Sequence, residues 1–400
     1  MSFARFRCNH ISIAIGLAVA SSTASASGIF LAEASYANMG TGGAGDGVYT
    51  GNAAAIWTNP ATLSFMDEER HTINATVLNL DMEYEDSGNR EGADSNKTMP
   101  VISYFSNHHI NDQWAYGIAF SSRGGAALDY GYEWAGANQL TDVALITYQF
   151  NPSVAYRIND DVSIAAGVQL DYALINANTK AIELETSDSF AFGYNLGLMF
   201  DVSEKTKLGI SYRSQLEHEF SGTSNLYTDR GMLTGTYGAP LITPATVDIS
   251  ASHKINNNVT LMTSIQWHDW SKWQNTIVDL NYGGSGTAYE IPRGFEDVWH
   301  FGFGGEYKLR NNWKLKAGYS YETSPLDDSS TQSPDLPVGE QHRYSIGFSK
   351  TWDKNTLDIY YQYADFGEMD IAQNNNPDNR KMLNGQFIGQ VHFVGLGYTF

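Results

Sequence analysis

The stretch FIGQVHFVGLGYTF, residues 387–400, decides the fold of this chain. Its last seven residues alternate between large apolar side chains, on one face, and small or polar ones on the other: Val394, Leu396, Tyr398 and Phe400 against Gly395, Gly397 and Thr399. Because successive side chains of a strand point to opposite faces, this alternation predicts a strand with one apolar face. We expect it to close a transmembrane β-barrel, whose outer face meets lipid. Tyr398 and Phe400 are the candidate residues for barrel assembly, with the barrel-assembly machinery as a predicted partner.

The first 26 residues predict a secretory signal peptide. A basic stretch, an apolar run and a small-residue cleavage site follow one another: Arg5 and Arg7, residues 11–20, and Ala24-Ser25-Ala26. The apolar run is too short to span a bilayer, so it is not a membrane helix. We therefore expect the mature chain to begin at Ser27. Removal of the signal peptide takes away Cys8, the only cysteine, so the mature chain has no disulfide chemistry.

Composition favours a barrel over several soluble domains. Charged residues make up 17% of the 400 residues, against about a quarter in ordinary soluble domains, while tyrosine reaches 24 and tryptophan 9. No apolar run approaches 18 residues, which excludes helical membrane spans. The pI near 4.7 argues against a nucleic-acid partner, because phosphates need Lys and Arg.

The pattern along the chain predicts an all-β fold, a transmembrane antiparallel β-barrel of about fourteen strands. Residues 27–68 are rich in Gly and Ala without sustained alternation, and we interpret them as a small plug inside the lumen of a barrel formed by residues 69–400. The predicted strands are 70–84, 97–106, 113–122, 141–157, 162–178, 190–200, 206–220, 244–254, 259–270, 297–309, 313–322, 341–351, 356–366 and 387–400. A soluble sandwich is the alternative, but it would not combine a signal peptide with this strand pattern.

Short polar turns mostly alternate with long polar stretches, as in barrels that have periplasmic turns and external loops. We expect external loops near 85–96, 123–140, 221–243, 271–296, 323–340 and 367–386. In the stretch WHDWSKW (267–273), the tryptophans are interpreted as an aromatic girdle at the barrel rim. Short turns on one side and long loops on the other predict that the barrel lies in the outer membrane of a Gram-negative bacterium. Its expected neighbours are outer-membrane lipid and lipopolysaccharide.

The segment SGIFLAEASYANMGTGGAGDGVYTGNAAAIWTNPATL (27–63) resembles the N-terminal plug of the FadL-type long-chain fatty acid transporters. Shorter matches lie at 192–214, 267–273 and 318–326. The resemblance implies a fourteen-stranded barrel that binds a hydrophobic ligand inside and releases it sideways into the membrane through a gap made by a kinked strand. It also implies a monomer.

Several residues gain candidate roles from this resemblance. Ile29 and Phe30 match positions whose movement couples ligand binding to opening; the alternative is that they simply form a frayed terminus. Asn59-Pro60-Ala61 is the most specific plug element, and we expect it to end a helix and turn the chain toward the first strand, because Pro lacks an N–H. A direct part in gating and a simple turn are the two alternatives for this element. Gly124-Gly125 is the candidate kink, since glycine in a strand often marks a bend; the alternative is that these glycines simply begin an external loop.

A fatty acid has a carboxylate, so an inward cation near the pocket would help to bind it. Arg293 and Lys180 are the candidate ligand-binding cations. Ile291 and Thr179 fall where the family would place basic residues, and a solvated loop charge is the alternative for each candidate. The third external loop is reduced to about 181–189, where family members often carry longer insertions.

The sequence therefore predicts passive uptake of long-chain fatty acids or related hydrophobic compounds. A general or small-solute porin is the second hypothesis, which the plug opposes, and an outer-membrane enzyme is the third. No Ser/His/Asp set suits catalysis: His268, Asp269 and Ser271 adjoin along one predicted strand, whose neighbouring side chains point to opposite faces. We expect neither a metal site nor a cofactor.

Overall fold

The computed structural model describes residues 30–66, 68–373 and 382–400. The predicted signal peptide and Ile29 lie outside these described residues. Nineteen strands are named in the described part, and they belong to a single sheet. They are β1 (Arg70–Asp86), β2 (Ala93–His109), β3 (Trp114–Ser121), β4 (Gly125–Asp129), β5 (Asp142–Asn159), β6 (Val162–Asn178), β7 (Ile182–Ser203), β8 (Thr206–Arg213), β9 (Leu216–Thr228), β10 (Gly231–Thr243), β11 (Thr246–Lys254), β12 (Val259–His268), β13 (Asn275–Tyr282), β14 (Ser285–Pro292), β15 (Val298–Lys308), β16 (Trp313–Glu322), β17 (Gln341–Trp352), β18 (Asn355–Ala372) and β19 (Asn384–Thr399).

Fourteen of these described strands pair antiparallel in a closed ring. The order is β1-β2-β3-β5-β6-β7-β8-β11-β12-β15-β16-β17-β18-β19, and β19 returns to β1 with Thr399 opposite Thr72. Each predicted strand overlaps one member of this ring. The predicted fold class, an all-β barrel of fourteen antiparallel strands, is therefore confirmed. No helix among the described residues is long and apolar enough to cross a bilayer.

The two faces of β19 lie as the alternation predicts. Val394 is 56% exposed and Leu396 is 44% exposed on the outer surface, whereas Gly395 and Gly397 are buried and point inward. Phe400 pairs with His71 through both backbone hydrogen bonds, at 2.8 and 2.9 Å, and its ring stacks on His71 and Tyr398. The closing strand thus ends in an aromatic cluster on the outer surface.

Two expected external loops are in fact hairpins. Residues 221–243 lie largely in β9 and β10, and residues 271–296 contain β13 and β14, while β7 extends through the segment expected as the third loop. The strands β9, β10, β13 and β14 are not members of the fourteen-strand ring. β9 and β13 alternate between buried and exposed residues over part of their length, and Phe220, Tyr237 and Leu280 belong to a buried apolar cluster. β14, by contrast, is exposed on nearly every residue. We call this end of the barrel the loop end, and the opposite end, with its short turns, the turn end.

Residues 30–66, which we call the plug, lie inside the ring toward the turn end. They contain helix α1 (Ala55–Thr58) and 3-10 turns at Ala32–Ala34, Asp46–Val48 and Pro60–Phe65. Hydrogen bonds join the plug to strands on different sides of the bore: the Gly45 N–H donates to Ser264 Oγ at 2.9 Å, the Asn74 amide donates to the Tyr36 carbonyl at 3.1 Å, and the Ser64 hydroxyl to Ser163 Oγ at 2.6 Å.

Close packing of plug and wall requires small inward residues. At Gly318 on β16, a Cβ atom would lie 1.9 Å from the carbonyl oxygen of Thr41 in the plug. A side chain there would displace the plug backbone, since real Cβ atoms do not approach that closely. The inward glycine at Gly318 therefore leaves the space that the plug backbone occupies inside the barrel.

Candidate functional site: the apolar lumen and the interrupted wall

The lumen on the loop side of the plug is apolar. One continuous cluster of buried side chains lines it, with members from seven of the fourteen ring strands and from the segments at the loop end, including Leu78, Leu80, Met82, Leu128, Tyr237, Trp270, Trp273, Phe295, Val391 and Phe393. Barrels that carry water have polar interiors, so this lining suits an apolar occupant instead. The lumen is therefore the candidate binding site for a hydrophobic ligand.

Trp270 and Trp273 belong to this lumen and not to an outer girdle. Trp270 is fully buried, and its ring lies 5.4 Å from Phe295, with Trp273 stacked 6.0 Å away. A 3-10 turn at Trp270–Lys272 follows β12 and ends the strand alternation, which carries both rings inward. Only Trp267 of the three keeps the expected outward side, where its indole N–H donates to Asp297. The girdle interpretation was wrong for the other two.

The wall is interrupted after β3. β3 ends at Ser121 and β4 begins at Gly125, and the ladder between β2 and β3 covers only Tyr104–His109. β4 pairs with β5, and no ladder between β2 and β4 is found among the described residues. The interruption therefore lies where Gly124-Gly125 was predicted to bend the strand.

The bend does not need the left-handed backbone that glycine permits. Neither Gly124 nor Gly125 has a positive φ. Gly124 is instead held by Thr147 on β5, which accepts from its N–H at 3.1 Å and donates to its carbonyl at 2.7 Å. Across the gap, the backbone neighbour of Gly124 is Phe30 of the plug.

The beginning of the plug is attached to this bend. Phe30 and Gly124 form an isolated antiparallel bridge, and the Leu31 N–H donates to the Arg123 carbonyl at 3.0 Å. The Phe30 ring also lies 5.1 Å from His268 and 5.8 Å from Trp270. Phe30, predicted as a ligand-binding residue, thus joins the plug, the bend and the apolar lumen.

Apolar side chains border the gap in the ladder. Met99 of β2 and Ala126 and Leu128 of β4 belong to the lumen cluster, and Val101 of β2 packs against it. At the loop end the gap is bounded by Asp129, whose N–H donates to Ser95 and whose carboxylate pairs with Lys97 at 2.9 Å. The lumen and this part of the wall therefore form one continuous apolar region.

The Asn59-Pro60-Ala61 element anchors the plug at the turn end. The Asn59 amide donates to the carbonyls of Gly47 at 2.9 Å and Leu198 at 3.0 Å, and its Oδ1 accepts from the Ala61 N–H at 3.0 Å. The pair ends α1 but does not lead directly into the first strand. Asn59 instead caps a six-residue 3-10 helix that begins at Pro60, because Pro needs no N–H partner in a first turn.

An ionic contact that sequence reasoning missed holds the other end of the plug. Arg343 on β17 lies 3.2 Å from Glu33 of the plug and 3.7 Å from Glu322 on β16, and all three are buried. The Gln362 amide also donates to Glu33 at 2.7 Å. No local pattern marks these residues, since each lies in a different part of the chain.

Asp46 lies deep in the plug. Its carboxylate accepts from the N–H groups of Ala37 and Asn38, at 2.9 and 3.0 Å. Burial raises the pKa of Asp46 to about 6, although those two hydrogen bonds and the charge of Lys316 oppose the rise. A carboxyl whose pKa is raised by burial therefore lies inside the plug.

The two predicted cations do not point freely into the lumen. Arg293 is buried, but it makes a paired hydrogen bond with Asp335, at 3.0 and 2.6 Å, and lies over the Trp273 ring. Although burial opposes ionisation, this guanidinium holds the pKa of Asp335 below its usual value. Lys180 is exposed at the loop end, where its ammonium donates to the Tyr132 carbonyl at 3.3 Å.

Arg123, which the sequence did not single out as a site, lies nearest to the bend. Its guanidinium crosses the bore and donates to Gln169 Oε1 at 2.9 Å and to the carbonyls of Ser214 at 3.2 Å and Pro244 at 2.7 Å. It also lies 5.5 Å from the centre of the Phe30 ring. The available signal was its place beside Gly124-Gly125, but one basic residue next to a loop is common.

Comparison with known proteins agrees with this architecture. The family model described as "Outer membrane protein transport protein (OMPP1/FadL/TodX)" matches residues 17–400. The chain is 23% identical to the long-chain fatty acid transport protein of Escherichia coli (strain K12), over 88% of this chain and 90% of that one. It is similar in fold to a Pseudomonas aeruginosa FadL homologue (TM-score 0.83, 18% identity, 93% of this chain and 99% of the other) and to the Pseudomonas putida toluene transporter TodX (0.71, 18%, 95% and 98%). This chain is a member of the OMPP1/FadL/TodX family of outer-membrane transport proteins.

Proposed function

We propose that this protein takes up long-chain fatty acids or related hydrophobic compounds across the outer membrane without an energy source. The observation that carries the proposal is the continuity between the apolar lumen and the gap in the wall beside β2. Each CH₂ group dissolved in water costs about 0.8 kcal/mol, so an acyl chain gains from a path lined by apolar side chains. The sequence relatives named as fatty acid transporters support the same substrate class.

The proposed path begins in the lumen on the loop side and ends at the gap. The plug blocks the direct route to the turn end, so the ligand leaves sideways, between β2 and β4, into the bilayer. The contact of Phe30 with Gly124 supports a coupling step, in which a ligand that displaces Phe30 also loosens the bend. Aromatic hydrocarbons are the alternative cargo, since toluene is the named cargo of a structural neighbour.

Deletion of residues 27–60 from the secreted chain tests the proposal. Uptake of labelled oleate is measured in cells that lack their own uptake system, and conductance of the purified protein is measured in planar bilayers. A carrier should lose saturable oleate uptake and gain conductance, because the occupied lumen and the coupling both depend on the plug. A porin should gain conductance with oleate uptake unchanged, and that result would overturn the proposal. Heat-modifiable electrophoretic mobility reports whether the deleted protein still forms a barrel.

A further inference from the structure

We propose that Arg123 is the residue that selects an anionic headgroup, so that the preferred cargo is a carboxylate-bearing acyl chain and not a neutral hydrocarbon. This inference deepens the proposed function and rests on it. It begins from a difference among the buried cations. Three of them already have a carboxylate partner: Arg293 with Asp335, Arg343 with Glu33, and Lys316 with Asp358 at 2.7 Å.

Arg123 has no such partner. It is buried, and in the described part of the chain it takes part in no ion pair within 4.0 Å. Its three hydrogen bonds reach one amide and two backbone carbonyls, all of them uncharged. A guanidinium has five N–H donors, so two are left for a further acceptor. A buried charge without a counter-ion is costly, and an incoming anion would relieve that cost.

Asp171, the carboxylate whose charge acts on Arg123, is already engaged. Asp171 has one carboxylate oxygen 3.2 Å from His218 Nε2, and its other oxygen accepts from Gln149 Nε2 at 2.9 Å. A second buried guanidinium, Arg213, adds to the positive charge of this region, since it too has only uncharged partners, among them the Trp57 carbonyl and Asn151. One engaged carboxylate therefore faces two arginines, and the region keeps a net positive charge.

The surroundings of Arg123 favour an amphiphile over a free anion. On one side lie the polar groups of β6 and the segment after β8, and on the other lie the Phe30 ring and the apolar lumen. A ligand whose carboxylate pairs with the guanidinium would keep its chain among apolar side chains. A planar fork of N–H donors also matches a carboxylate better than a point charge does.

Calorimetric titration of the full secreted protein in lipid nanodiscs tests this inference, with empty nanodiscs as the blank. The probes are decanoate and decanol, which share a chain and differ in charge, at a pH where decanoate is ionised. We expect the wild type to prefer decanoate by about ten- to a hundredfold, the usual value of hydrogen bonds to a charged group. Arg123→Gln should remove that preference and leave decanol binding unchanged. Arg123→Lys should keep a smaller preference.

The matched control is Lys180→Gln, which also removes one positive charge but at an exposed position, and it should keep the full preference. A wild type that binds both probes equally, or Arg123→Gln that still prefers decanoate, overturns the inference and leaves hydrophobic transport intact. Failure of both probes to bind the wild type contradicts the proposed function itself. If Arg123→Gln does not form a heat-modifiable barrel, the comparison of Arg123→Lys with the wild type decides the matter: an undiminished preference overturns the inference.

Discussion

Phe30 and Gly124 form an antiparallel bridge that links the first described residue of the plug to the bend in the wall. A strand wall in lipid is normally sealed by continuous hydrogen bonding. Here, one side of the gap is bonded to the plug in place of a neighbouring strand. The state of the plug and the state of the gap therefore depend on the same contact.

Replacement of Gly124 and Gly125 together by valine should abolish oleate uptake without loss of the barrel. Branched side chains favour a regular strand and fill the space beside the plug, so the wall should close against β2. Labelled oleate uptake and heat-modifiable mobility measure the two effects. The control is the double variant Gly238→Val and Gly286→Val, at glycines whose nearest foreign atoms would lie 3.9 and 4.0 Å from a Cβ. Unchanged uptake in the bend variant would count against lateral exit.

Asn59→Ala should loosen the plug while the ring stays assembled. The variant loses three hydrogen bonds and leaves the carbonyls of Gly47 and Leu198 buried without that donor, at a cost of about 2–4 kcal/mol. More frequent open events in planar-bilayer recordings are the expected result. Asn96→Ala, at an exposed position on β2, should behave as the wild type. Recordings as quiet as those of the wild type would show that Asn59 does not hold the plug.

Arg293→Gln should lower stability without a change in headgroup preference. Asp335 already neutralises Arg293, and the loss of their paired hydrogen bond should cost about 1–3 kcal/mol. The pKa of Asp335 is lowered, so this stabilisation is present above the usual carboxyl pKa and is lost as the pH falls through the lowered value. Thermal unfolding at pH 7 and titration with decanoate and decanol check both parts. A lost decanoate preference would instead assign the headgroup to Arg293.

Asp46 should make the protein less stable as the pH rises from about 4 to about 6. Its folded pKa of about 6 exceeds the ordinary value of 3.8, so in this window the unfolded chain ionises while the folded one keeps its proton. The shift corresponds to about 3 kcal/mol, lost by the upper end of the window. Asp46→Asn should flatten this part of the thermal unfolding profile, whereas Asp160→Asn, in an exposed turn, should not. Parallel profiles for Asp46→Asn and the wild type would exclude Asp46 as the source.

Residues 387–400 and the other alternating segments were sufficient to predict the ring, because a membrane strand must show lipid on one side and the lumen on the other. The hairpins at β9–β10 and β13–β14 were expected as loops, because their sequences are rich in Gly, Ser, Asn and Asp and β14 is exposed on nearly every residue. The strand interruption lies beside the glycine pair, but neither glycine has the left-handed backbone that favours glycine, so its role as a kink stays a prediction.

The sequence by itself determined the class of fold and the strand count, because both depend on local periodicity and composition. The tertiary structure alone decided which charges remain uncompensated. Arg293 and Arg123 look alike in the sequence, yet one meets Asp335 from a loop 42 residues away and the other meets only uncharged groups. Ion pairing depends on which side chains the folded chain brings close together. Residues that are far apart in the sequence can be close in space, so their spacing along the chain does not reveal the pairing.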